Sequence, residues 1–320
     1  MLTLAAIEDA AEIVYRAMRP TPQYAWPLLG EAVGRTVWVK HENHTPTGAF
    51  KVRGGLVLLQ GLAEKMPRGT GIISATRGNH GQSLAFAAGR LGLDCHIVVP
   101  QGNSTEKNAA MRAFGANLIE HGADFDAAKA EAMRLAEEQG LTMIPSFHAD
   151  LVRGVATYGL EFFRAVPELD VVYVPIGLGS GICALISARD ALGLKTKIVG
   201  VVSDKADAYA RSLESGHLTE TASAATFADG MAVRCPDEQA LAMIRAGAED
   251  IVRVSDDQVA EAIRLYYRTT HNVAEGAGAA PLAALMADTK RGETPGVILC
   301  GQNIDTRWMA EVLAGGTPTP

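Results

Sequence analysis

One lysine of this 320-residue chain, Lys51, lies where an amine could do chemistry. It follows Ala49 and Phe50 and precedes a predicted helix. Burial at the start of a helix lowers the pKa of a lysine, because the amine loses hydration and faces the positive end of the helix dipole. A neutral amine of this kind can form a Schiff base with an aldehyde. The alternative is a surface lysine whose stem lies along its helix.

Two turns between a predicted strand and a predicted helix contain short polar or glycine residues. The first joins a strand at 71–75 to a helix at 82–91 and consists of Thr76, Arg77, Gly78, Asn79 and His80. The second joins a strand at 171–176 to a helix at 183–191 and consists of Gly177, Leu178, Gly179, Ser180 and Gly181. Backbone N–H groups at such helix starts bind phosphate or carboxylate. The second turn lacks the G-x-G-x-x-G spacing of a dinucleotide site, so it predicts only an anion site.

Two further residues stand beside polar or glycine turns late in the chain. A strand predicted at 296–300 ends in Cys300, and Gly301, Gln302 and Asn303 follow. Glu275 lies in the run Ala-Glu-Gly-Ala-Gly. A buried inert thiol and a carboxylate at a helix N-terminus are the ordinary interpretations of these residues.

Predicted strands alternate with helices along the whole chain. The strand-like runs are 36–40, 71–75, 95–100, 117–120, 143–146, 171–176, 197–202 and 296–300. Ser104 is a plausible helix start, and Asp124 is a candidate N-cap for a long helix at 126–139. Such alternation predicts an α/β fold with parallel sheets and crossover helices.

Composition excludes several classes of function. The formal net charge is −7 and the pI is about 5.6, which argues against nucleic acid or an anionic membrane as partner. The four cysteines show no Cys-x-x-Cys spacing, so we expect reduced thiols and no zinc site. The sequence shows neither a signal pattern nor an apolar run of membrane-spanning length, so we expect a cytoplasmic protein.

Taken in order, the motifs resemble those of the fold-type II pyridoxal-phosphate enzymes, in the threonine/serine dehydratase and serine racemase family. The matching segments are Ala49-Phe50-Lys51-Val52-Arg53-Gly54, Gly78-Asn79-His80-Gly81-Gln82, 177–181, 226–233 and Cys300-Gly301-Gln302-Asn303. The resemblance runs from about the first helix to the C-terminus. It implies the tryptophan synthase β-like fold, with two doubly wound parallel-sheet domains and the cofactor in the cleft. The mapped domains are a large one of residues 1–70 plus 151–320 and a small inserted one of residues 71–150.

The resemblance also implies roles for these residues. Lys51 would carry pyridoxal 5'-phosphate and remove the substrate Cα proton, with Phe50 packed near the cofactor. Asn79 would bind the phenolate oxygen, Cys300 would face the pyridine nitrogen and Glu275 would lie near the cofactor. The phosphate would bind Gly177, Leu178, Gly179, Ser180 and Gly181. The substrate carboxylate would bind Thr76, Arg77, Gly78, Asn79 and His80.

This sequence departs from the family at several positions. Ala49 replaces a serine and Leu178 a glycine. Serine racemase uses a serine as the acid/base on the cofactor face opposite the lysine. Arg77 cannot take that role, because a guanidinium stays protonated. We therefore expect weak or absent racemase activity, with Arg77 clamping a carboxylate, shaping the pocket or pairing with a surface acid. Val202 and Ala208 occupy the positions of two carboxylates that bind a divalent cation in relatives, so we expect no metal at that site.

The implied reaction is β-elimination from an L-β-hydroxy-α-amino acid, giving a 2-keto acid and ammonia. L-Threonine and L-serine are the default substrates. The turn at 76–82 resembles a branch acting on phenylserine or hydroxyectoine breakdown products, and 3-hydroxyaspartate is a further alternative. The family expectation is a homodimer. We expect no C-terminal regulatory domain of the kind that biosynthetic threonine dehydratases carry.

Three other functions are weighed against this one. A nicotinamide oxidoreductase would leave Lys51 unexplained. A pyridoxal-phosphate protein without turnover would not need Lys51, Asn79 and His80 together. A β-replacement enzyme of the cysteine-synthase type has a different phosphate loop and a different Thr-Ser-Gly-Asn-Thr turn.

Overall fold

The computed structural model describes residues 2–67, 69–288 and 291–320, which form an α/β fold. The strands in these ranges are β1 (Gln23–Ala25), β2 (Trp38–His41), β3 (Ile72–Ala75), β4 (Cys95–Val99), β5 (Asn117–Glu120), β6 (Thr142–Met143), β7 (Val171–Pro175), β8 (Lys197–Ser203), β9 (Asp250–Val254) and β10 (Pro295–Leu299).

Thirteen α-helices in the same ranges connect the strands. They are α1 (Leu4–Tyr15), α2 (Pro27–Val33), α3 (Lys51–Ala63), α4 (Asn79–Leu91), α5 (Thr105–Ala113), α6 (Phe125–Gln139), α7 (Ala149–Ala165), α8 (Ser180–Ala191), α9 (Ala208–Ser215), α10 (Glu238–Gly247), α11 (Asp256–Thr270), α12 (Gly276–Ala287) and α13 (Thr306–Leu313). Two 3-10 helices span Glu42–His44 and Asp229–Met231.

The strands form two sheets. One has the order β1-β2-β10-β7-β8-β9 and the other the order β5-β4-β3-β6. All pairings are parallel except that of β1, which lies antiparallel to β2 at the edge of the first sheet. The expected parallel sheets are therefore confirmed, with one antiparallel edge strand added.

Both sheets are covered by helices, so their central strands are buried. Every residue of β3, β7 and β10 is buried, which suits the continuous apolar runs of those strands. The core of the four-stranded sheet also takes in apolar side chains of α1 and α3. The predicted domain division assigns both helices to the other domain, and that division stays a prediction.

Several predicted elements differ in their bounds from the observed ones. The strand predicted at 36–40 lies at Trp38–His41, and the one predicted at 143–146 lies at Thr142–Met143. The helices predicted at 82–91 and 183–191 begin three residues earlier, at Asn79 and Ser180, so part of each anion-binding turn is the first turn of a helix. β1 and β9 were not predicted.

The predicted helix starts at Ser104 and Asp124 are confirmed. Ser104 Oγ accepts a hydrogen bond from Lys107 N, and Asp124 Oδ1 accepts one from Ala127 N. Within the described ranges, none of the helices has the length and apolar character that crossing a membrane requires.

Candidate active site

Lys51 is the first residue of α3, as the sequence indicated, and the turn after β10 holds it in place. Phe50, the N-cap residue, donates from its backbone N–H to the carbonyl of Cys300 over 2.9 Å. Ala49 forms an isolated β-bridge with Gly301. The lysine segment and the Cys300 turn, 250 positions apart in the chain, are thus joined by backbone hydrogen bonds.

The surroundings of the Lys51 amine disfavour its charged form. Burial lowers the pKa of Lys51, and the nearby Cys300 and Glu275 oppose this only in part. Its Nζ lies 4.9 Å from the centroid of the Phe50 ring. The site therefore favours a neutral amine, the form that acts as a nucleophile or accepts a proton.

A buried charge cluster fixes the helix that Lys51 begins. Arg53 is fully buried and its Nε donates to Glu42 over 2.7 Å, while its Nη1 donates to Glu161 over 2.7 Å. Lys40 donates to the same Glu161 over 2.6 Å. Two cations face two carboxylates, so no buried charge is left uncompensated, which is the condition for tolerating such a cluster.

Asn79 lies at the centre of a chain of side-chain hydrogen bonds. Its Nδ2 donates to Glu275 Oε1 over 2.7 Å, and its Oδ1 accepts from Asn303 Nδ2 over 2.8 Å. Asn303 Nδ2 also donates to the carbonyl of Thr47 over 2.9 Å. The structure brings Asn79 and Glu275, both predicted site residues, into direct contact.

Glu275 is buried and holds its proton more tightly than an ordinary carboxyl. Its pKa is raised to about 7, mainly by burial and also by Asp229, although Lys107, Asn79 and Lys51 act in the opposite direction. Its Oε2 has no hydrogen-bond partner, and the nearest ammonium, Lys107 Nζ, is 4.0 Å away. Although Glu275 is the N-cap residue of α12, its side chain makes no capping bond. The carboxyl group of Glu275 is therefore available for contacts other than capping the helix.

Lys107 and Asp229 form an ion pair beside Glu275 that sequence reasoning missed. Burial lowers the pKa of Lys107, but Asp229 and Glu275 raise it by more, so the amine stays charged. Lys107 comes from α5, beside the four-stranded sheet, and Asp229 from the segment before α10. The only signals in the sequence were the start of α5 and the segment at 226–233, and neither indicated that the two residues meet.

The turn at 76–80 presents free backbone donors at the start of α4. Thr76 Oγ1 accepts from the N–H of Gly78 over 3.1 Å and so fixes the turn. Among the described residues, no protein acceptor faces the N–H groups of Asn79, His80 and Gly81. These groups and the helix dipole together can hold a carboxylate.

His80 and Arg77, in the same turn, have opposite environments. Burial lowers the pKa of His80 to about 3, with Lys51 acting in the same direction and the carbonyl of Pro145 against it, so the imidazole is neutral. Its Nε2 is buried without a partner. Arg77 is exposed, and the structure records neither an ion pair nor a hydrogen bond between its guanidinium and any described residue. The surface ion pair weighed for Arg77 is thus absent from the described residues, and its two other roles stay predictions.

The glycine turn at 177–181 forms a second set of free donors, at the start of α8. Among the described residues, no protein acceptor faces its five backbone N–H groups. A Cβ on Gly177 would lie 2.4 Å from the carbonyl oxygen of Gly230, so no side chain fits there. Gly179 has φ 101°, which disfavours any other residue. A Cβ on Gly181 would lie 3.7 Å from the Phe50 ring, which places this helix start beside Lys51.

Cys300 is buried and stays protonated. Burial raises the pKa of its thiol well above the ordinary value, Glu275 raises it further, and Lys51 acts in the opposite direction. An uncharged thiol therefore lies in the same cluster as the Lys51 amine and the Glu275 carboxyl.

A cavity of about 340 Å³ adjoins the pair Asn79–Asn303. Its walls combine apolar, uncharged polar and charged side chains, namely Gln82, Glu106, Lys107, Ala110, Val273, Gln302, Asn303, Ile304 and Asp305. Its one cation, Lys107, is already paired with Asp229 outside this set. The remaining charged groups on its walls, Glu106 and Asp305, are both negative.

These residues fit pyridoxal phosphate, the cofactor that the motifs imply. The free N–H groups of the glycine turn suit its phosphate, and the neutral amine of Lys51 suits its aldehyde. The partnerless Oε2 of Glu275 and Nε2 of His80 are buried polar atoms that a bound cofactor or substrate could satisfy. As for metals, the part of the chain that the structure describes holds no group of three or more His, Cys, Asp or Glu side chains arranged for an ion.

Comparison with known proteins places the chain among relatives of one cofactor class. The sequence model of a family described as "Pyridoxal-phosphate dependent enzyme" matches residues 14–301. The biosynthetic L-threonine dehydratase of Haemophilus influenzae is 34% identical over 305 residues, which cover 94% of this chain. This chain spans 59% of the length of that dehydratase.

Two solved structures share the fold over nearly the whole chain. The processed form of threonine deaminase isoform 2 from Solanum lycopersicum has a TM-score of 0.89 and 29% identity, covering 97% of this chain and 93% of its own. Maize serine racemase has a TM-score of 0.91 and 25% identity, covering 98% of this chain and 97% of its own.

Proposed function

We propose that this chain, which belongs to the family of pyridoxal-phosphate dependent enzymes, is an ammonia-lyase that converts an L-β-hydroxy-α-amino acid to a 2-keto acid and ammonia. The observation that carries the proposal is the position of Lys51. Its neutral amine lies beside the free N–H groups of the α8 start and within the electrostatic reach of Cys300 and Glu275. The names of two relatives, a threonine dehydratase and a threonine deaminase, support the same reaction.

The cofactor supplies an electron sink for the electron pair that remains when the substrate loses its Cα proton. Lys51 provides the base, because its lowered pKa leaves the amine free to accept that proton. The β-hydroxyl would leave as water by taking up the proton that Lys51 removed from Cα, and a water molecule would later replace the amino group, so the products are the 2-keto acid and ammonia.

The helix starts orient the two anionic groups. The donors of 177–181 would hold the cofactor phosphate, and the N–H groups of Asn79, His80 and Gly81 would hold the substrate carboxylate. Asn79 Nδ2 has a second hydrogen besides the one donated to Glu275, and this hydrogen would bind the phenolate oxygen.

Cys300 favours elimination over transamination. With pyridoxal phosphate bound, a neutral thiol as the partner of the pyridine nitrogen would leave the ring a weaker electron sink than a carboxylate partner would. The ring would then be less able to retain the electron pair from Cα, which would favour loss of the β-hydroxyl. The raised pKa of the Cys300 thiol keeps this partner uncharged across the neutral range.

The experiment is an assay of ammonia and 2-keto acid with the cofactor-loaded protein and L-threonine or L-serine. Equimolar release of both products by the wild-type chain, and none by Lys51→Ala, is the expected result. Retention of the cofactor without release of either product from any β-hydroxy amino acid would contradict the proposed reaction.

The finer proposal concerns the substrate side chain. We propose that a bulkier neutral substrate such as L-threo-phenylserine is accepted. The support is the similarity of the turn at 76–82 to a phenylserine or hydroxyectoine branch, and the cavity beside Asn303, whose apolar walls include Val273 and Ile304. The carboxylates Glu106 and Asp305 on the same walls would repel the second carboxylate of 3-hydroxyaspartate. A higher kcat/KM for 3-hydroxyaspartate than for phenylserine would contradict this choice.

Racemisation should be weak, because the Arg77 guanidinium stays protonated and cannot serve as the second acid/base group. Chiral chromatography of L-serine incubated with the enzyme is the check, and D-serine at a rate similar to that of pyruvate would contradict it.

We also propose a two-domain arrangement divided at 71 and 150, a homodimer and a cytoplasmic location. The two separate sheets support the first, the resemblance supports the second, and the four unpaired cysteines support the third.

A further inference from the structure

A buried tyrosine is hydrogen-bonded to the backbone of the glycine turn at 177–181. Tyr209, on α9, donates from its hydroxyl to the carbonyl of Leu178 over 3.0 Å and accepts from the N–H of Asp237 over 3.0 Å. Tyr209 is buried, with 2% of its surface exposed. We propose that Tyr209 is a positioning residue for the cofactor phosphate, an inference that rests on the proposed cofactor site.

The argument follows from the geometry of one peptide group. No cis peptide bond occurs in the described chain, so the carbonyl of Leu178 and the N–H of Gly179 point in opposite directions in one plane. Because Tyr209 fixes the carbonyl, it also fixes the N–H, which then points away from Tyr209. That N–H is one of the five free donors of the turn.

The start of α10 packs behind the Leu178–Gly179 peptide, on the same side as Tyr209. Asp237 is the N-cap of α10 and accepts from the N–H groups of Gln239 and Ala240. A Cβ on Gly179 would lie 2.6 Å from Cβ of Ala240, so the start of α10 packs directly against the turn. Tyr209 bridges these two elements by bonding to Leu178 on one side and Asp237 on the other.

Removal of the hydroxyl would free the Leu178 peptide to rotate. A rotated peptide presents its carbonyl oxygen to the phosphate in place of the Gly179 N–H, which replaces an attraction by a repulsion. The effect acts only through the phosphate. Tyr209→Phe should therefore weaken binding of pyridoxal 5'-phosphate and leave binding of pyridoxal, which lacks the phosphate, unchanged.

The test compares dissociation constants of the two ligands for the apoenzyme, measured by fluorescence titration. In Tyr209→Phe the preference for pyridoxal phosphate over pyridoxal should fall about tenfold, the value of one charge-assisted hydrogen bond. Tyr173→Phe is the matched control. Tyr173 is also buried and donates one hydroxyl bond, to Asp288 over 3.0 Å, but it does not contact the glycine turn. Its variant should lose a similar amount of stability and keep the full preference.

A second variant, Tyr209→His, retains a ring with an N–H donor that reaches less far. We expect its preference to fall as well, but by less than in Tyr209→Phe. An unchanged preference in whichever variant folds, or an equal loss of affinity for both ligands, would overturn the inference. The result is separate from the proposed reaction, since a wild-type chain that binds the cofactor but releases no keto acid would contradict the lyase activity alone.

Discussion

Asn79 donates a hydrogen bond from Nδ2 to Glu275 Oε1 over 2.7 Å and thereby joins the first turn of α4 to the N-cap of α12. Asn303 donates to the other end of the same amide, so the orientation of Asn79 is fixed on both sides. The buried carboxyl of Glu275, the half-buried amide of Asn79 and the amine of Lys51 thus belong to one cluster. The protonation state of Glu275 sets the charge of that cluster.

Glu275→Gln should stabilise the apoenzyme at alkaline pH. The pKa of Glu275 is near 4.5 in the unfolded chain and about 7 in the folded one. Between these values only the folded chain binds the proton, so the wild-type free energy of unfolding falls as pH rises and stays reduced above pH 7. We expect Glu275→Gln to match wild type near pH 4.5 and to exceed it at pH 8 by about 3 kcal/mol. Urea unfolding at several pH values measures this, and a difference that does not vary with pH would contradict it.

Gly78→Ala should disturb the ion pair of Lys107. A Cβ at Gly78 would lie 2.5 Å from Cδ of Lys107, whose amine is paired with Asp229. The lysine stem must move, so we expect a loss of about 1–2 kcal/mol in the free energy of unfolding. Gly78 is the N-cap residue of α4, and Gly89→Ala, inside that helix, is the matched control.

The control differs in the space around the new methyl group. At Gly89 the nearest atom to an added Cβ is 3.6 Å away, an ordinary contact, and alanine favours a helix interior over glycine. Gly89→Ala should therefore be neutral or stabilising by up to about 1 kcal/mol. Equal effects of the two substitutions in urea unfolding would show that Lys107 does not restrict Gly78.

Arg77→Ala should change the choice of substrate without changing stability. The guanidinium is exposed and lacks a recorded partner among the described residues, so the free energy of unfolding should stay within about 0.5 kcal/mol of wild type. Loss of a cation beside Gly78 should lower kcat/KM for 3-hydroxyaspartate relative to L-threonine by about tenfold. Arg90→Ala, at the other end of α4, should leave that ratio unchanged. If Arg77→Ala leaves both this ratio and the kcat/KM for L-threonine unchanged, Arg77 neither clamps a carboxylate nor shapes the pocket.

Local sequence signals predicted the elements that carry the site. The start of α3 at Lys51, the two turns after β3 and β7, and the caps at Ser104 and Asp124 each depend on a few adjacent residues. The short strands β1 and β9 lie at the edges of their sheet and combine polar with apolar residues, so their pattern was too weak to predict.

Contacts between distant segments could not be predicted from one sequence. Lys107 and Asp229 are 122 positions apart, and each looks like an ordinary surface residue of a helix start or a loop. Tyr209 likewise reads as a helix residue, and only the fold shows that its hydroxyl reaches Leu178. Such pairings depend on how the two sheets and their helices pack, which local patterns do not specify.

Borohydride reduction followed by peptide mass spectrometry tests most directly whether Lys51 is the amine that holds pyridoxal phosphate. The chain offers two other buried lysines as internal controls, Lys40 and Lys107, and both are paired with carboxylates. We expect the reduced cofactor on the peptide that contains Lys51, on neither of the other two, and on no peptide of the Lys51→Ala variant. Labelling of Lys40 or Lys107 with Lys51 unmodified would contradict the assignment of Lys51 and the mechanism built on it.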